Sequence, residues 1–186
     1  MAIMVEDYTG IPIDHLARIN FQGFAGLVDV MGGISVCVDY PTRDLRSHLD
    51  IPAGCQRLNG EQALAWVRSR STEQLQGEEW VRVAGSDFAR QTRQQDVLFQ
   101  LAGAAARVSS PAALTEALAH IAKTVRLDSN WTFSQAIATG WKYRGIKKDE
   151  VRRFTIETSG YRTTRGAAVL LSDTTFGEQL ASVWNG

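Results

Sequence analysis

The chain has 186 residues, 44% of them hydrophobic and 22% charged, which fits one globular domain with a substantial core. Its twenty basic and twenty acidic side chains cancel, so no overall field favours nucleic acid or an anionic membrane, and any anion binding must be local. The apolar stretches are far shorter than the roughly 20 residues of a membrane span. Met1 is not followed by a signal-like segment, so no signal or membrane anchor is expected in this chain.

Helix and strand patterns alternate along the start of the chain. Residues 1–10 are predicted to be the tail of a helix that ends at a glycine, and residues 15–21 alternate as a strand. Apolar residues then recur at helical spacing over 24–31, and a double glycine separates them from a strand-like run over 34–38. This order predicts an α/β fold in which layers of helices cover a central mixed sheet.

Two segments are predicted to lack regular structure. Residues 39–50 are polar and interrupted by proline, which predicts a surface loop. Residues 74–85 are the segment in which we most expect disorder. Asp29, inside the first predicted amphipathic helix, is expected to be a cap or a salt-bridge partner rather than a site residue.

The second half of the chain is predicted to be mostly helical. A long helix begins near Asp87, and Pro111 after a serine cap at Ser110 starts another. The apolar residues predicted to be buried on these two helices are Val97, Leu98, Leu101, Ala104, Ala105, Val108, Leu114, Ala117, Leu118, Ile121 and Val125. Further predictions are a helix over 134–143 that Ser134 caps, strands over 151–158 and 169–171, and a final helix that Asp173 caps.

The stretch from Asn59 to Gln95 carries the most informative polar residues. Asn59 is a good helix N-cap and Gln62 stands three residues later, as in a capping box. The short helix that follows ends at arginines, so Arg68 and Arg70 leave the same helix end together.

A second group of arginines lies on the next helix. Arg90 and Arg93 fall on one helical face, because residues three apart are neighbours there. Four guanidinium groups near two helix ends suggest a polyanion site, because the planar fork of arginine donates two parallel hydrogen bonds to phosphate oxygens. The alternative is that these arginines form a solvated helix face.

Three separated motifs carry a family resemblance. They are F-x-G-F-x-x-L-V-D-V-M-G-G-I-S-V, G-E-Q-A-L-A-W-V-R-S-R and D-F-A-R-Q-T-R-Q-Q, in this order between Ile11 and Val97. The pattern resembles the LytR-CpsA-Psr family of cell-wall glycopolymer transferases. The family's N-terminal third has no counterpart before Met1, so we expect one partial domain over residues 1–186 with the C-terminal two-thirds of a LytR-CpsA-Psr-like fold.

The resemblance implies a phosphotransferase that moves a glycan, with a phosphate, from a polyprenyl-diphosphate carrier onto a peptidoglycan hydroxyl. By motif match, Arg68, Arg70 and Arg90 are assigned to the diphosphate. Arg93 either joins them or pairs with a carboxylate on the helix surface. Asp87 matches an acidic position of the family and could orient an arginine, accept the hydroxyl's proton or cap its helix. The segment over 71–86 is longer than the family's usual connection, which affects where Asp87 and Arg90 are placed relative to Arg70.

The resemblance also implies Mg²⁺ as a cofactor, although the aspartates that hold it in the family have no counterpart in this chain. Transfer by these residues alone is therefore expected to be weak or absent. A non-catalytic protein that binds prenyl phosphate or wall polymer, or scaffolds a complete relative, is the alternative. A nucleic-acid-binding regulator is disfavoured by the zero net charge. Expected partners are the prenyl-linked glycan, peptidoglycan and a second copy joined through an open sheet edge.

The two cysteines, Cys37 and Cys55, leave several interpretations open. They could be unrelated buried thiols or a disulfide, whereas zinc binding is improbable without a nearby histidine. The family resemblance implies a location at the extracytoplasmic face of the membrane or in the cell wall, and this setting favours the Cys37–Cys55 disulfide.

Overall fold

A computed structural model describes residues 2–83, 86–107, 111–143, 146, 150–151, 158–172 and 174–184. The chain divides into two compact units, one formed by residues 17–145 and the other by residues 1–16 with 146–186. The single domain expected from the sequence remains a prediction. No helix in the described part of the chain is long and apolar enough to cross a membrane.

The larger unit contains most of the secondary structure. Its elements are β1 (Ala17–Ile19), α2 (Phe21–Val30), β2 (Ile34–Val38), β3 (Thr42–Asp44), β4 (Leu49–Ile51), β5 (Gly54–Leu58), α3 (Gly60–Arg68), β6 (Glu73–Gln76), β7 (Glu79–Arg82), α4 (Ser86–Ala106), α5 (Pro111–Thr124), β8 (Val125–Leu127) and α6 (Phe133–Tyr143). The predicted α/β class is confirmed. The described strands pair antiparallel, in the sheets β1–β8, β2–β5 and β4–β3–β6–β7. The strands on either side of α2 therefore pair with other strands and not with each other.

The core of this unit lies between α2, α3, α4 and the short sheets. Val28, Ile34, Ile51, Leu58 and Val97 are each almost completely buried. Leu98 was predicted to share the buried stripe of α4, but its side chain is 64% exposed, so that prediction is wrong. Heptad-like spacing predicts a broad stripe, whereas only the part of it that meets a neighbouring element is buried.

Helices α2 and α3 approach each other closely at Gly60. A Cβ atom there would collide with the carbonyl oxygen of Ala25, so only glycine fits the contact. The backbone N–H of Gly60 donates to Oδ1 of Asp29 at 2.7 Å. Asp29 thus caps the start of α3, which confirms its predicted role as a cap.

Both segments predicted to be irregular contain paired strands among their described residues. Residues 39–50 contain β3 and β4, and the side chains of Thr42 and Asp44 are buried rather than exposed on a loop. Residues 73–82 form the β6–β7 hairpin, whose turn includes Gly77 at φ 68°. Hydropathy missed β3 because its inward-facing residues are polar, and it missed the hairpin because neither strand has a strongly apolar face.

Cys37 and Cys55 form a disulfide, as the resemblance implied. They are paired across the antiparallel strands β2 and β5, with Cα atoms 4.0 Å apart. Both residues are exposed, so the alternative of two buried thiols is wrong. The bond closes a loop that contains β3 and β4.

The smaller unit comprises α1 (Ala2–Thr9), β9 (Ser159–Arg162), β10 (Ala168–Leu171) and α7 (Phe176–Trp184). Gly10, at φ 68°, ends α1 as predicted, and the rings of Tyr8 and Phe176 lie 6.0 Å apart. The cap predicted at Asp173 lies outside the described residues, as do Val108, the cap at Ser110 and most of the strand predicted over 151–158.

Candidate anion-binding site

Helix α3 presents the first arginine pair. Asn59 Oδ1 accepts from the N–H of Gln62 at 2.9 Å, and the side chain of Gln62 accepts from the N–H of Asn59 at 3.1 Å. The predicted capping box is therefore confirmed. The helix ends at Arg68, because Ser69 takes an extended conformation, so the chain turns away just as Arg68 and Arg70 emerge.

The buried carboxylate of Asp44 holds this turn. Its Oδ2 atom accepts from Ser69 Oγ at 2.7 Å, from the N–H of Arg70 at 2.9 Å and from the N–H of Ser71 at 2.8 Å. Asp44 is only 1% exposed. A single oxygen on β3 thus fixes three consecutive residues after α3.

The other oxygen of Asp44 fixes a second segment. Oδ1 accepts from the N–H of Arg46 at 2.9 Å and from the N–H of Ser47 at 3.4 Å, inside the turn that joins β3 to β4. One carboxylate therefore ties the β3–β4 turn to the end of α3. The sequence predicts a loop at Asp44, and no sequence pattern indicates this role.

The same contacts set the ionisation of Asp44. Burial alone would raise the pKa of the carboxyl, since it penalises the charged form. The hydrogen bonds from the Ser69 hydroxyl and from the N–H groups of Ser71, Arg46 and Arg70 outweigh burial and lower the pKa from 3.8 to about 2. Asp44 is thus ionised at neutral pH.

A cavity of about 580 Å³ opens beside these two segments. Its described lining consists of Asp44, Arg46, Ser47, Arg68, Arg70, Ser71 and Arg82. The structure thus brings Arg68 and Arg70 together, as predicted. It adds Arg46 and Arg82, which lie in the two segments predicted to be irregular and were not expected at the site. A glycine at position 77 between Leu75 and Trp80 is the turn signal that could have revealed the hairpin that carries Arg82.

Positive side chains outnumber negative ones in the described lining of this cavity. No described carboxylate lies within salt-bridge distance of the guanidinium groups of Arg46, Arg68 or Arg82. The guanidinium of Arg68 instead lies over the ring of Phe21, with its central carbon 4.6 Å from the ring centroid. Several exposed cations around one buried carboxylate make the cavity suitable for an anion.

Ser47 also lines the cavity. Ser47 is 9% exposed, and its buried Oγ atom has no hydrogen-bond partner in the described part of the chain. A buried hydroxyl without a partner is uncommon in a folded protein.

Arg93 has a different environment on α4. Its Nη1 donates to the carbonyl of Ser69 at 3.2 Å, its Nη2 donates to Thr72 Oγ1 at 3.1 Å, and its guanidinium lies 4.4 Å from the ring centroid of Trp66. Burial lowers the pKa of Arg93, and the charge of Asp44 partly opposes that shift. These contacts are with the segment that follows α3, not with a carboxylate on the helix surface, which was one predicted alternative.

The remaining predicted site residues lie on the first turns of α4. Arg90 is not part of the described cavity lining. Asp87 lies in α4, but its side chain is outside the described part of the structure. Their assignment to the diphosphate and to proton transfer or orientation therefore stays a prediction.

These residues offer no evident set of ligands for a divalent cation. The described residues contain no group of three or more His, Cys, Asp or Glu side chains that could hold a metal. Both oxygens of Asp44 are occupied by N–H and O–H donors, so this carboxylate does not fit as a Mg²⁺ ligand.

Comparison with known proteins identifies relatives of this chain. It is 31% identical over 130 residues to the cell wall biosynthesis protein LcpA of Corynebacterium glutamicum, covering 68% of this chain and 23% of LcpA. It is 30% identical over 145 residues to the polyisoprenyl-teichoic acid–peptidoglycan teichoic acid transferase TagU of Bacillus cereus, covering 78% of this chain and 43% of TagU. The chain thus spans less than half the length of either relative.

The fold is also similar to that of a solved structure. The LytR-Csp2A-Psr enzyme from Actinomyces oris superposes with a TM-score of 0.74 at 29% identity, covering 94% of this chain and 65% of that one. The LytR_cpsA_psr family itself matches residues 1–182. Together with the three motifs found in the sequence, these matches show that the chain belongs to the LytR-CpsA-Psr family.

Proposed function

We propose that this chain binds the diphosphate of a polyprenyl-diphosphate-linked glycan in the arginine cavity, and that it does so in a phosphotransferase that assembles the cell wall. The glycan, with one phosphate, would pass to a hydroxyl of peptidoglycan. The relative TagU is named as a transferase of teichoic acid from polyisoprenyl-teichoic acid to peptidoglycan. The observation that carries the proposal is the cluster of Arg46, Arg68, Arg70 and Arg82 around one cavity.

Arginine clusters suit phosphoryl transfer for an electrostatic reason. As the diphosphate departs, negative charge spreads over non-bridging oxygens, and fixed cations stabilise this charge without having to reorganise. The Asp44 carboxylate fixes the backbone of Arg46 and Arg70, so the segments that carry these cations are held in place before the substrate arrives. The bidentate fork of each guanidinium then matches phosphate oxygens.

The proposed reaction is a displacement at phosphorus. An acceptor hydroxyl oxygen attacks the phosphorus nearer the glycan, and the bond from that phosphorus to the bridging oxygen breaks. Prenyl monophosphate leaves with the bridging oxygen, and the hydroxyl's proton passes to a base. We assign the orientation of an arginine, or acceptance of this proton, to Asp87, and we assign Arg90 to the diphosphate together with Arg68 and Arg70.

The family resemblance implies Mg²⁺, which would neutralise diphosphate oxygens. The described residues do not fit such a site, so no step is assigned to the metal here. The proposed setting is extracytoplasmic. The exposed Cys37–Cys55 disulfide supports it, since disulfides form and persist in oxidising compartments.

A transfer assay tests this function. The chain is mixed with a prenyl-diphosphate-linked glycan, peptidoglycan and Mg²⁺, and the release of prenyl monophosphate is measured. Arg68→Ala should lower any release by about 10-fold or more, as expected for a lost charge-assisted contact in the transition state. The matched control is Arg18→Ala, which removes an exposed arginine on β1 outside the described cavity lining. Release that is unaffected by Arg68→Ala would contradict the assignment. Diphosphate binding without any release would favour the non-catalytic alternative.

A further inference from the structure

The arginines of the cavity come from two different walls. Arg68 and Arg70 come from the end of α3, whereas Arg46 lies in the β3–β4 turn and Arg82 on β7, both part of the β4–β3–β6–β7 sheet and its connections. Arg82 is the last residue of β7, which is the edge strand of this sheet. The β6–β7 hairpin therefore brings a cation to the cavity that is independent of the helix-end pair.

The position of Arg82 is fixed at the boundary between the walls. Its Nη2 donates to the hydroxyl of Ser71 at 3.2 Å, and Ser71 is in turn held by Asp44. Because Ser71 lies directly after Arg70, this hydrogen bond places the guanidinium of Arg82 beside the helix-end segment. Arg82 also lines a second, smaller hollow of about 180 Å³ next to the main cavity.

The carboxylate that faces Arg82 across the strand pair is bound by another arginine. Glu73 is the direct cross-strand neighbour of Arg82, a position at which opposite charges usually pair. Its Oε2 instead accepts from Nε of Arg43 at 2.8 Å, and the guanidinium of Arg43 lies 3.9 Å from the ring centroid of Trp80. Arg43 therefore keeps Glu73 from neutralising Arg82.

Cations on two walls match a ligand with two anionic groups. A monophosphate can be bound by the arginines of one wall alone, whereas the second phosphoryl group of a diphosphate needs cations of its own. The volume of about 580 Å³ lies within the usual range for small-ligand sites, which leaves room for both groups.

We propose that Arg82 is a specificity-determining residue that binds the second phosphoryl group and makes the cavity prefer a diphosphate to a monophosphate. This inference rests on the proposed function and deepens it. Before transfer, the substrate would contact both walls. After transfer, the prenyl monophosphate retains only one phosphoryl group. It therefore no longer contacts the arginines of both walls, so it binds more weakly than the substrate and leaves.

Calorimetry with two soluble probes, farnesyl diphosphate and farnesyl monophosphate, tests the proposal at one fixed low salt concentration. Arg82→Ala should weaken diphosphate binding by about 10-fold or more, the usual effect of losing charge-assisted hydrogen bonds. Monophosphate binding should weaken by less than about threefold, as expected for the loss of a more distant, solvent-screened charge. Arg82→Lys should restore part of the selectivity, because it keeps the charge without the planar fork.

Two variants separate the failure of this inference from the failure of the proposed function. Arg68→Ala should weaken both probes, and Arg18→Ala should weaken neither. If Arg68→Ala weakens both probes while Arg82→Ala leaves their affinity ratio unchanged, the proposed function stands and the role of Arg82 is wrong. If neither Arg68→Ala nor Arg82→Ala changes any affinity, both are wrong.

The Arg43–Glu73 ion pair provides a second test of the role of Arg82. Arg43→Ala should release Glu73 to pair with Arg82, and the preference for the diphosphate should fall as it does in Arg82→Ala. Adding Glu73→Gln to Arg43→Ala removes the competing carboxylate and should restore the preference. Thermal unfolding of each variant verifies that it is folded. A preference that Arg43→Ala leaves unchanged, or that Glu73→Gln does not restore, would contradict the proposed arrangement.

Discussion

Two groups of arginines in the same unit have different surroundings. Around the cavity, Arg68 and Arg82 are exposed and lie beside a carboxylate that is already saturated with hydrogen bonds. On α4, Arg93 is half-buried, stacks on Trp66 and donates two hydrogen bonds to the segment that follows α3. Arg68 and Arg82 are exposed enough to receive a ligand, whereas two donors of Arg93 are already bound within the protein.

The difference shows that residue type alone does not separate a binding arginine from a structural one. All of these side chains have the same charge and the same donor geometry. What distinguishes them is burial and the number of partners: Arg68 lies over Phe21 and Arg82 donates to Ser71 while both side chains stay exposed, whereas Arg93 is half-buried with two hydrogen bonds and a ring contact. The comparison therefore predicts that cavity arginines control affinity and that Arg93 controls stability.

The largest expected effect is at Asp44, on which the cavity depends. Asp44→Ala would leave the buried N–H and O–H donors of the two segments without an acceptor, and it should lower the free energy of unfolding by roughly 4 kcal/mol. Asp50→Ala, at an exposed position on the neighbouring strand β4, is the control and should cost less than about 0.5 kcal/mol. Urea unfolding measures the free energy of unfolding of both variants and of the parent. Equal effects would mean that Asp44 does not anchor the cavity.

Reduction of the disulfide should have the next largest effect. Cys37 and Cys55 are 18 residues apart, and in the chain-entropy model a loop of this size contributes about 3 kcal/mol. The loop contains Asp44 and Arg46, so its loosening should also weaken anion binding. Cys37→Ser with Cys55→Ser, compared with the parent under non-reducing conditions, measures both effects. A double variant as stable as the parent would contradict this account of the bridge.

Arg93→Ala should lower the free energy of unfolding by about 2 kcal/mol, because it removes two hydrogen bonds and an aromatic contact. Arg68→Ala, at an exposed position, should change stability by less than about 0.5 kcal/mol. Arg93→Lys keeps the charge but not the planar fork, so it should recover only part of the loss. If Arg68→Ala destabilises the protein more than Arg93→Ala does, Arg93 is not the structural arginine of the two.

Acid should remove a stabilising contribution of about 2 kcal/mol. The pKa of Asp44 is about 2 in the folded protein and 3.8 ordinarily, so the unfolded chain takes up the proton first as pH falls. The contribution is therefore complete above about pH 4 and is lost as pH decreases towards 2. Unfolding in urea from pH 5 to pH 2 should show this loss in the parent, and Asp44→Asn should not show it. The same acid dependence in both proteins would exclude Asp44 as its source.

Much of the site was predictable because its signals are local. The capping box at Asn59 and Gln62 and the helix end at Arg68 depend on residues close in sequence. The disulfide between Cys37 and Cys55 followed from the family's setting.

The rest of the site depends on long-range contacts. Asp44 is buried and accepts from a segment 25 to 27 residues away, and no periodic pattern marks such a position. Arg82 reaches the cavity through a hairpin whose strands lack the hydrophobic alternation of a half-buried sheet. The placement of Arg93 on Trp66 likewise required the packing of α4 against α3.

The most direct test of the central claim is the calorimetric affinity of farnesyl diphosphate for the parent, Arg68→Ala, Arg70→Ala and Arg93→Lys. The account predicts that each cavity variant weakens binding by roughly 1.5 to 3 kcal/mol. Arg93→Lys, compared at a temperature where it is fully folded, should weaken binding by less than about 0.5 kcal/mol, because its charge is kept outside the cavity. Unchanged affinity in both Arg68→Ala and Arg70→Ala would show that these arginines form a solvated helix end and that the cavity is not the diphosphate site.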